Sequence, residues 1–235
     1  MEHGTNLEIT PQAPYLLLAG DIGYPYEPHY EMFLAQTAPK FLNVFLIMGN
    51  HEYWGYTLDD IHKRCAEIQA AIPNLVILNN SAHQITPELS IYGTTLWSHI
   101  SNEELVAKHV WDYRKILDFT PHDATILHLQ SRQTFRELLS KSDPSHKWIV
   151  LCHHIPHTSL INEAYHGNPL NEAYATDVEE FCNSNVVAVV HGHTHKPHIT
   201  GKYYCNPIGY PGQNPQLDTN KTFEVEVVTL RSLPQ

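Results

Sequence analysis

The segment 185–195, NVVAVVHGHTH, decides how this chain is read. Its first six residues are an apolar run of the length and β-branched character of a buried strand. The run then ends in three histidines within the five positions 191–195. A buried imidazole must satisfy two ring nitrogens, and several together are hard to satisfy in an apolar setting. The segment is therefore either a solvated turn or a set of rings holding something that wants nitrogen. The ends of the other strands decide between these.

Short apolar runs alternate with amphipathic stretches along the chain. PYLLLAGD (14–21), NVFLIMGN (43–50), LVILNN (75–80), LSIYGTTLW (89–97), KWIVLCHH (147–154), NVVAVVHGH (185–193) and TFEVEVVTL (222–230) read as strands. Residues 28–39, 57–72 and 124–140 read as helices. In the second, Leu58, Ile61, Cys65, Ile68 and Ile72 fall at helical spacing, and Thr57 with Asp60 makes an approximate capping box. Residues 155–175 lack apolar periodicity and read as a long functional loop. With no internal repeat, linker or low-complexity tract, the reading is one layered α/β domain over 1–235.

Charge narrows the partners. Fourteen Lys+Arg stand against 25 Asp+Glu, a net charge of −11 with neutral histidine. That argues against a nucleic-acid polymer or an anionic membrane surface. A small phosphorylated substrate is compatible, because bound cations reverse the local charge. The longest apolar stretches are six or seven residues, too short to span a bilayer. The opening MEHGTNLEITPQAP lacks the basic and apolar regions of a signal peptide. Cys65, Cys152, Cys182 and Cys205 lie far apart without a C-x-x-C pair. They read as reduced thiols of a cytoplasmic protein rather than a disulfide or zinc–thiolate framework. Nothing in the sequence signals an oligomeric state.

Four of the expected strands end in potential metal ligands: Asp21, Asn50 with His51, His153 with His154, and His193 with His195. Strand carboxyl ends gather on one edge of an α/β sheet, and ligands bind beyond that edge. Residues distant in sequence are thus expected to converge. One carboxylate, one amide oxygen and several imidazoles suit Zn, Mn or Fe better than a thiolate site would. A carboxylate can bridge two cations, and two-metal centres activate a water and clamp both oxygens of a phosphoryl displacement.

GD (20–21), GNHE (49–52), HH (153–154) and GHTH (192–195), in this order and each at a strand end, resemble the calcineurin-like metallophosphoesterase superfamily. The flanking AGDIG, GNHEYWG, GTTLW and CNPIGYPG are similar to a small intracellular subfamily. The resemblance implies a layered β-sandwich core flanked by helices. It also implies divalent metal ions (Mn, Zn, Fe or Mg), two in a complete site. Carried over by position, it implies that Asp21 bridges both metals and that Asn50, His153 and His193 complete the second. His195 is implied as a ligand of the first. His51 resembles the non-ligand histidine that faces the phosphate and assists the leaving group, so catalysis is assigned to His51 and Asp21. An imidazole suits that work near its ordinary pKa of about 6.5. Asn50 and His154 are the candidates to meet substrate. Either His153 or His154 could be the ligand; His153 comes first after the strand.

The family opens with Asp-x-His at the end of its first strand, and no such motif precedes Asp21. MEHG (1–4) resembles the stretch that follows it. Three explanations stand: a truncated start, a naturally short protein holding one metal well, or a degenerate, non-catalytic relative. Asp21 and His195 alone remain for the first metal, where three or four protein ligands are usual; His3 could approach the gap. Without a first strand, LLLAGD is expected to lie at a sheet edge or be covered otherwise.

The classical Ser/Thr protein phosphatases carry Asp and Arg after GD and Arg before GNHE. This chain reads GDIGYP and IMGNHE, so it lacks the arginine fork that grips a phosphoprotein's phosphate. The expected activity is metal-dependent hydrolysis of a small phosphomonoester or phosphodiester. The alternative is a one-metal or dead relative acting as a binding or scaffold protein. His191 reads as structural or as supporting the ligands, and His62, His109 and His146 as ordinary helix or loop positions. His157, His166 and His198 lie in loops near the expected site, as solvated residues by default or as substrate contacts. Tyr53 and Trp54 either wall a pocket or pack, and Asn206, Gly209 and Tyr210 either approach the site or serve a turn shaped by Pro and Gly.

Overall fold

The structure, a computed structural model, describes residues 8–210, 212–215 and 217–226. Tyr15–Ala19 (β1), Asn43–Ile47 (β2) and Leu75–Ile77 (β3) form a parallel three-stranded sheet in that order. A second sheet takes Ser81–Thr86 (β4), Leu89–Thr94 (β5), Lys147–Cys152 (β6), Val186–His191 (β7), His198–Thr200 (β8) and Tyr203–Cys205 (β9). Its spatial order is β4-β5-β6-β7-β9-β8, parallel from β5 to β9 with antiparallel strands at both edges. The helices are Pro28–Thr37 (α1), Leu58–Ala71 (α2), Glu103–His109 (α3), Asp112–Lys115 (α4) and Pro121–Lys141 (α5).

Strand alternation assigns the layers, since successive side chains point to opposite faces. In β2, Phe45 and Ile47 join Ile91, Ile149, Leu151 and Ala188 in the core between the sheets. Val44 and Leu46 face the other way, onto Tyr30 and Leu34 of α1 and Ile68 of α2. In β6, Val150 and Cys152 turn outward against Phe135 of α5. The result is the helix-flanked β-sandwich that the motifs implied. Capping boxes start α2 at Thr57–Asp60 and α5 at Thr120–Asp123, each satisfying helix N–H groups left without an intrahelical partner.

β1 pairs with β2 on one side alone among the described residues. Its other edge borders an apolar cleft of about 570 Å³, lined by Leu17, Ala19, Val190, Tyr204 and Phe223 and reaching Asp21. The expected strand over 222–230 needs correction. Residues 222–226 form no strand, and 227–230 lie outside the described residues. The Phe-x-Val alternation there is satisfied by side-chain packing instead: Phe223 stacks on Tyr204 at 4.6 Å, and Val225 joins the inter-sheet core. The loop at 155–175 is built largely from three 3-10 turns, Thr158–Leu160, Glu163–Tyr165 and Pro169–Ala173. Among the described residues no helix is long and apolar enough to cross a membrane.

Phe135 is the best probe of the helix-to-sheet packing. It is fully buried, stacks on Tyr92 at 4.9 Å and meets Trp148 and Phe181 edge-on. Phe135→Ala should cost about 3–5 kcal/mol. The expected readout is a lower denaturant midpoint at unchanged slope.

Candidate metal centre

Parallel pairing aligns the carboxyl ends of β1 and β2 in one sheet and of β6 and β7 in the other, and contacts of β1 with β6 and β7 bring the two rims together. They bring Asp21, Asn50, His153 and His193 to one point. His153 Nε2 lies 2.9 Å from Asn50 Oδ1, 3.0 Å from His193 Nδ1 and 3.4 Å from Asp21 Oδ2. The ligand atoms of Asp21, His153 and His193 all lie within 4.8 Å of one another.

Backbone shape makes this approach possible. A methyl group on Gly20 would meet Gly49 N at 2.5 Å and His153 Nδ1 at 2.7 Å. One on Gly192 would meet the Ala19 carbonyl at 2.6 Å. The glycines of the GD and GH pairs therefore let three strand ends close around the His153 ring. Asp21 and His193 themselves take left-handed backbone, at φ 55° and 64°. Such conformations cost about 1–3 kcal/mol each and persist where surrounding structure imposes them.

Two of the donors are fixed from behind. His153 Nδ1 lies 2.8 Å from the Ala19 carbonyl, which only accepts, so Nδ1 carries the hydrogen and Nε2 turns inward. Asn50 Nδ2 donates to Asp112 Oδ1 at 2.8 Å, which turns the amide oxygen inward. The inward atoms are thus acceptors almost throughout, and His193 Nε2 is a buried polar atom without a hydrogen-bond partner. A carboxylate, an amide oxygen and two imidazole nitrogens facing one another fit a divalent cation of the Mn, Zn or Fe kind.

Charge follows the same logic. Burial opposes ionisation of Asp21, yet the His153 ring, with His51 and His193, holds its carboxyl well below the usual carboxylate range. Burial likewise opposes a charged His153, but Asp21 outweighs it and raises that imidazole's pKa. Burial, then His154 and His153, push His193 well below the ordinary value.

His51 stands beside this point. Its backbone N–H donates to Asp21 Oδ1 at 3.0 Å, and its ring stacks on Trp54 at 3.7 Å between centroids. Of the two aromatics after GNHE, Trp54 therefore carries His51, while Tyr53 is packed in the core. His195 is set apart from the cluster. Its Nδ1 lies 2.8 Å from Gln213 Oε1 and its ring meets Tyr210 edge-on, in the wall of the cleft that reaches Asp21. His195 is not in the group whose ligand atoms lie within 4.8 Å of one another, Asp21, His153 and His193. His3 lies outside the described residues.

His154 needs correction. It is 1% exposed, its ring stacks on His193 at 4.4 Å, and Trp97 packs against it at 5.1 Å. Burial drives its pKa down to about 3. A ring so enclosed cannot meet a substrate without repacking; it supports His193 from beneath. His153, the alternative, is the one that reaches Asp21 and Asn50.

Calcineurin-like phosphoesterase is the family that matches residues 5–197. The chain belongs to that family. Uncharacterized protein L509 of Acanthamoeba polyphaga mimivirus is 28% identical over 214 residues, covering 83% of this chain and 75% of the relative. The solved structure of phosphopantetheinyl hydrolase (PptH) from Mycobacterium tuberculosis is similar in fold, with a TM-score of 0.69 at 18% identity. That alignment covers 88% of this chain and 83% of the other.

Two residues of this calcineurin-like phosphoesterase were missed in the sequence. Glu52 is buried and accepts the backbone N–H groups of Asp21, Ile22 and Gly49 at 2.7–2.8 Å, tying the GD turn to the GN turn. Burial and the Asp21 charge raise its pKa. Its place in GNHE was the available signal. Asp112 accepts from Asn50 and, at 2.8 Å, from Trp54 Nε1, so one carboxylate orients both the inward-facing amide of Asn50 and the platform under His51. No motif marks it.

Two outcomes are expected. Asp112→Ala should weaken metal affinity about 10–100-fold, the usual cost of losing a partner that orients a ligand, while far-UV circular dichroism stays unchanged. Metal affinity should also fall on acidification. His153 must release its Nε2 proton to bind an ion, and because its pKa is raised the loss begins above the ordinary histidine value. Calorimetry in buffers of different ionisation enthalpy should show proton release; a pH-independent affinity would contradict the assignment.

Proposed function

We propose that this chain hydrolyses a small phosphomonoester or phosphodiester, using water activated on a divalent cation held by Asp21, Asn50, His153 and His193. The observation that carries the reading is the meeting of four acceptor groups at one point with His51 alongside. The cation, when bound, polarises a phosphoryl oxygen and makes water a competent nucleophile near neutral pH. Asp21 and Asn50 supply oxygen, and His153 and His193 supply nitrogen. His51, held by its stack on Trp54 and its amide bond to Asp21, gives a proton to the departing oxygen. The net charge of −11 supports a small substrate over a nucleic-acid polymer. An intracellular, cytoplasmic setting remains part of the proposal.

A specific observation favours a second reading, a one-metal or catalytically silent binding protein. His195, expected as a ligand of a first metal, stands outside the group of Asp21, His153 and His193, and its Nδ1 is already engaged by Gln213.

One experiment separates the two. The purified protein is loaded with Mn²⁺ or Zn²⁺, its metal content measured, and aryl phosphate monoesters, diesters and a phosphopantetheinyl ester offered. Turnover is expected, and His51→Ala should lower it about 10²–10⁴-fold with metal content unchanged. Full occupancy without cleavage of any ester would transfer the conclusion to the second reading.

A further inference from the structure

The strands β7, β9 and β8 lie side by side in that order. Val190 of β7 pairs with Tyr204 of β9, so His191 and Cys205 are the next residues along two parallel neighbours. Cys205 pairs directly with His198 of β8. The three residues thus make one row across three adjacent strands, with Cys205 in the middle. Their donor atoms all lie within 4.8 Å of one another.

Hydrogen bonding fixes what these atoms offer. His191 Nδ1 lies 3.0 Å from the Gly192 carbonyl, and His198 Nδ1 lies 3.3 Å from the Lys196 carbonyl. Carbonyl oxygens only accept, so both hydrogens sit on Nδ1 and both Nε2 atoms present lone pairs. Those two Nε2 atoms face each other at 3.1 Å. Two lone pairs at that distance repel unless a proton or a cation lies between them. The Cys205 sulfur, whose S–H donates to the Thr194 carbonyl at 3.7 Å, lies at the same point and is a third atom able to ligate there.

We propose that His191 Nε2, His198 Nε2 and Cys205 Sγ form a second, separate metal site for a thiophilic divalent ion of the zinc class. Two imidazoles and one thiolate suit zinc and disfavour Mg or Mn. With Zn–N bonds of about 2.0–2.1 Å, a tetrahedral ion holds two nitrogens about 3.3 Å apart, near the separation present here. The thiol proton leaves for solvent on binding. His198 is half-buried, which leaves the ion a route in. The site shares no ligand with the Asp21 centre. It brackets the segment 192–197, which carries His193 and His195, so an ion here staples the base of that segment.

Cobalt provides the test, because sulfur-to-cobalt charge transfer absorbs in the near ultraviolet and the Asp21 centre has no sulfur. Chelator-treated protein titrated with Co²⁺ should develop this band, saturating within two equivalents in the unaltered chain and with a single equivalent once Asp21→Asn has removed the competing centre, and Zn²⁺ should abolish it. Cys205→Ser should remove the band while keeping the far-UV circular dichroism. His198→Ala should weaken cobalt binding at least tenfold. Asp21→Asn should leave the band in place, so failure of the catalytic reading would not affect it. Should Cys205→Ser not fold, the count of zinc ions in Asp21→Asn, read by native mass spectrometry, decides the matter: one ion supports the site. No band in the unaltered chain, a band surviving in folded Cys205→Ser, or no zinc retained by folded Asp21→Asn would overturn the site.

Discussion

Acceptor atoms aimed at one another hold the logic of this protein. Asp21, Asn50 Oδ1, His153 Nε2 and His193 Nδ1 meet where the two sheets bring their strand ends together. Left to themselves such atoms repel, and no hydrophobic gain at that point offsets the repulsion. A hydrogen on His193 Nδ1 relieves part of this, and positive charge relieves the rest; the raised pKa of His153 is the same demand expressed toward a proton. A cation answers it better, because one ion can serve several lone pairs at once.

The surrounding structure resists the easy escape, which would be for the rings and the amide to turn away. Ala19 holds His153 through its carbonyl, Asp112 holds Asn50, and Glu52 grips the Asp21 and Gly49 backbones together. The left-handed turn at Asp21 is kept by the same Glu52 anchor. Behind them, Met48, Tyr53 and Trp97 fill a core with α2 and α3 that fixes the GNHE turn. Preorganisation is thus spread over several elements, and the cost of assembling the donors is met on folding rather than on binding.

Much of this is legible in the sequence because it rests on local signals. The strands NVFLI and KWIVLC announce themselves as apolar runs, and their ends show Asn50 and His153 directly. Asp112 is invisible for a physical reason. Its partner Asn50 is 62 residues away, and the bond depends on how α4 docks, which no periodicity encodes. The pair β8–β9 has strands of three residues, too short to show alternation, so His198 reads as loop. His154 misleads for the converse reason: adjacent residues at a strand end point to opposite sides, and only the packing of Trp97 tells which histidine faces inward.

The stretch that opens at β7 and closes at β8 explains why one strand end carries so many imidazoles. His193 serves the Asp21 cluster, while His191 and His198 turn to Cys205 on the neighbouring strands. On the proposed assignment the two positions differ in donor chemistry, two oxygens with two imidazoles in one and two imidazoles with a thiolate in the other. Ligand softness then biases the ions: the thiolate favours zinc-class metals, while the mixed oxygen and nitrogen set also admits manganese or iron. A chain with both sets, placed on either side of Gly192, has a structural reason to separate the ion that shapes its ligand loop from the ion that meets substrate.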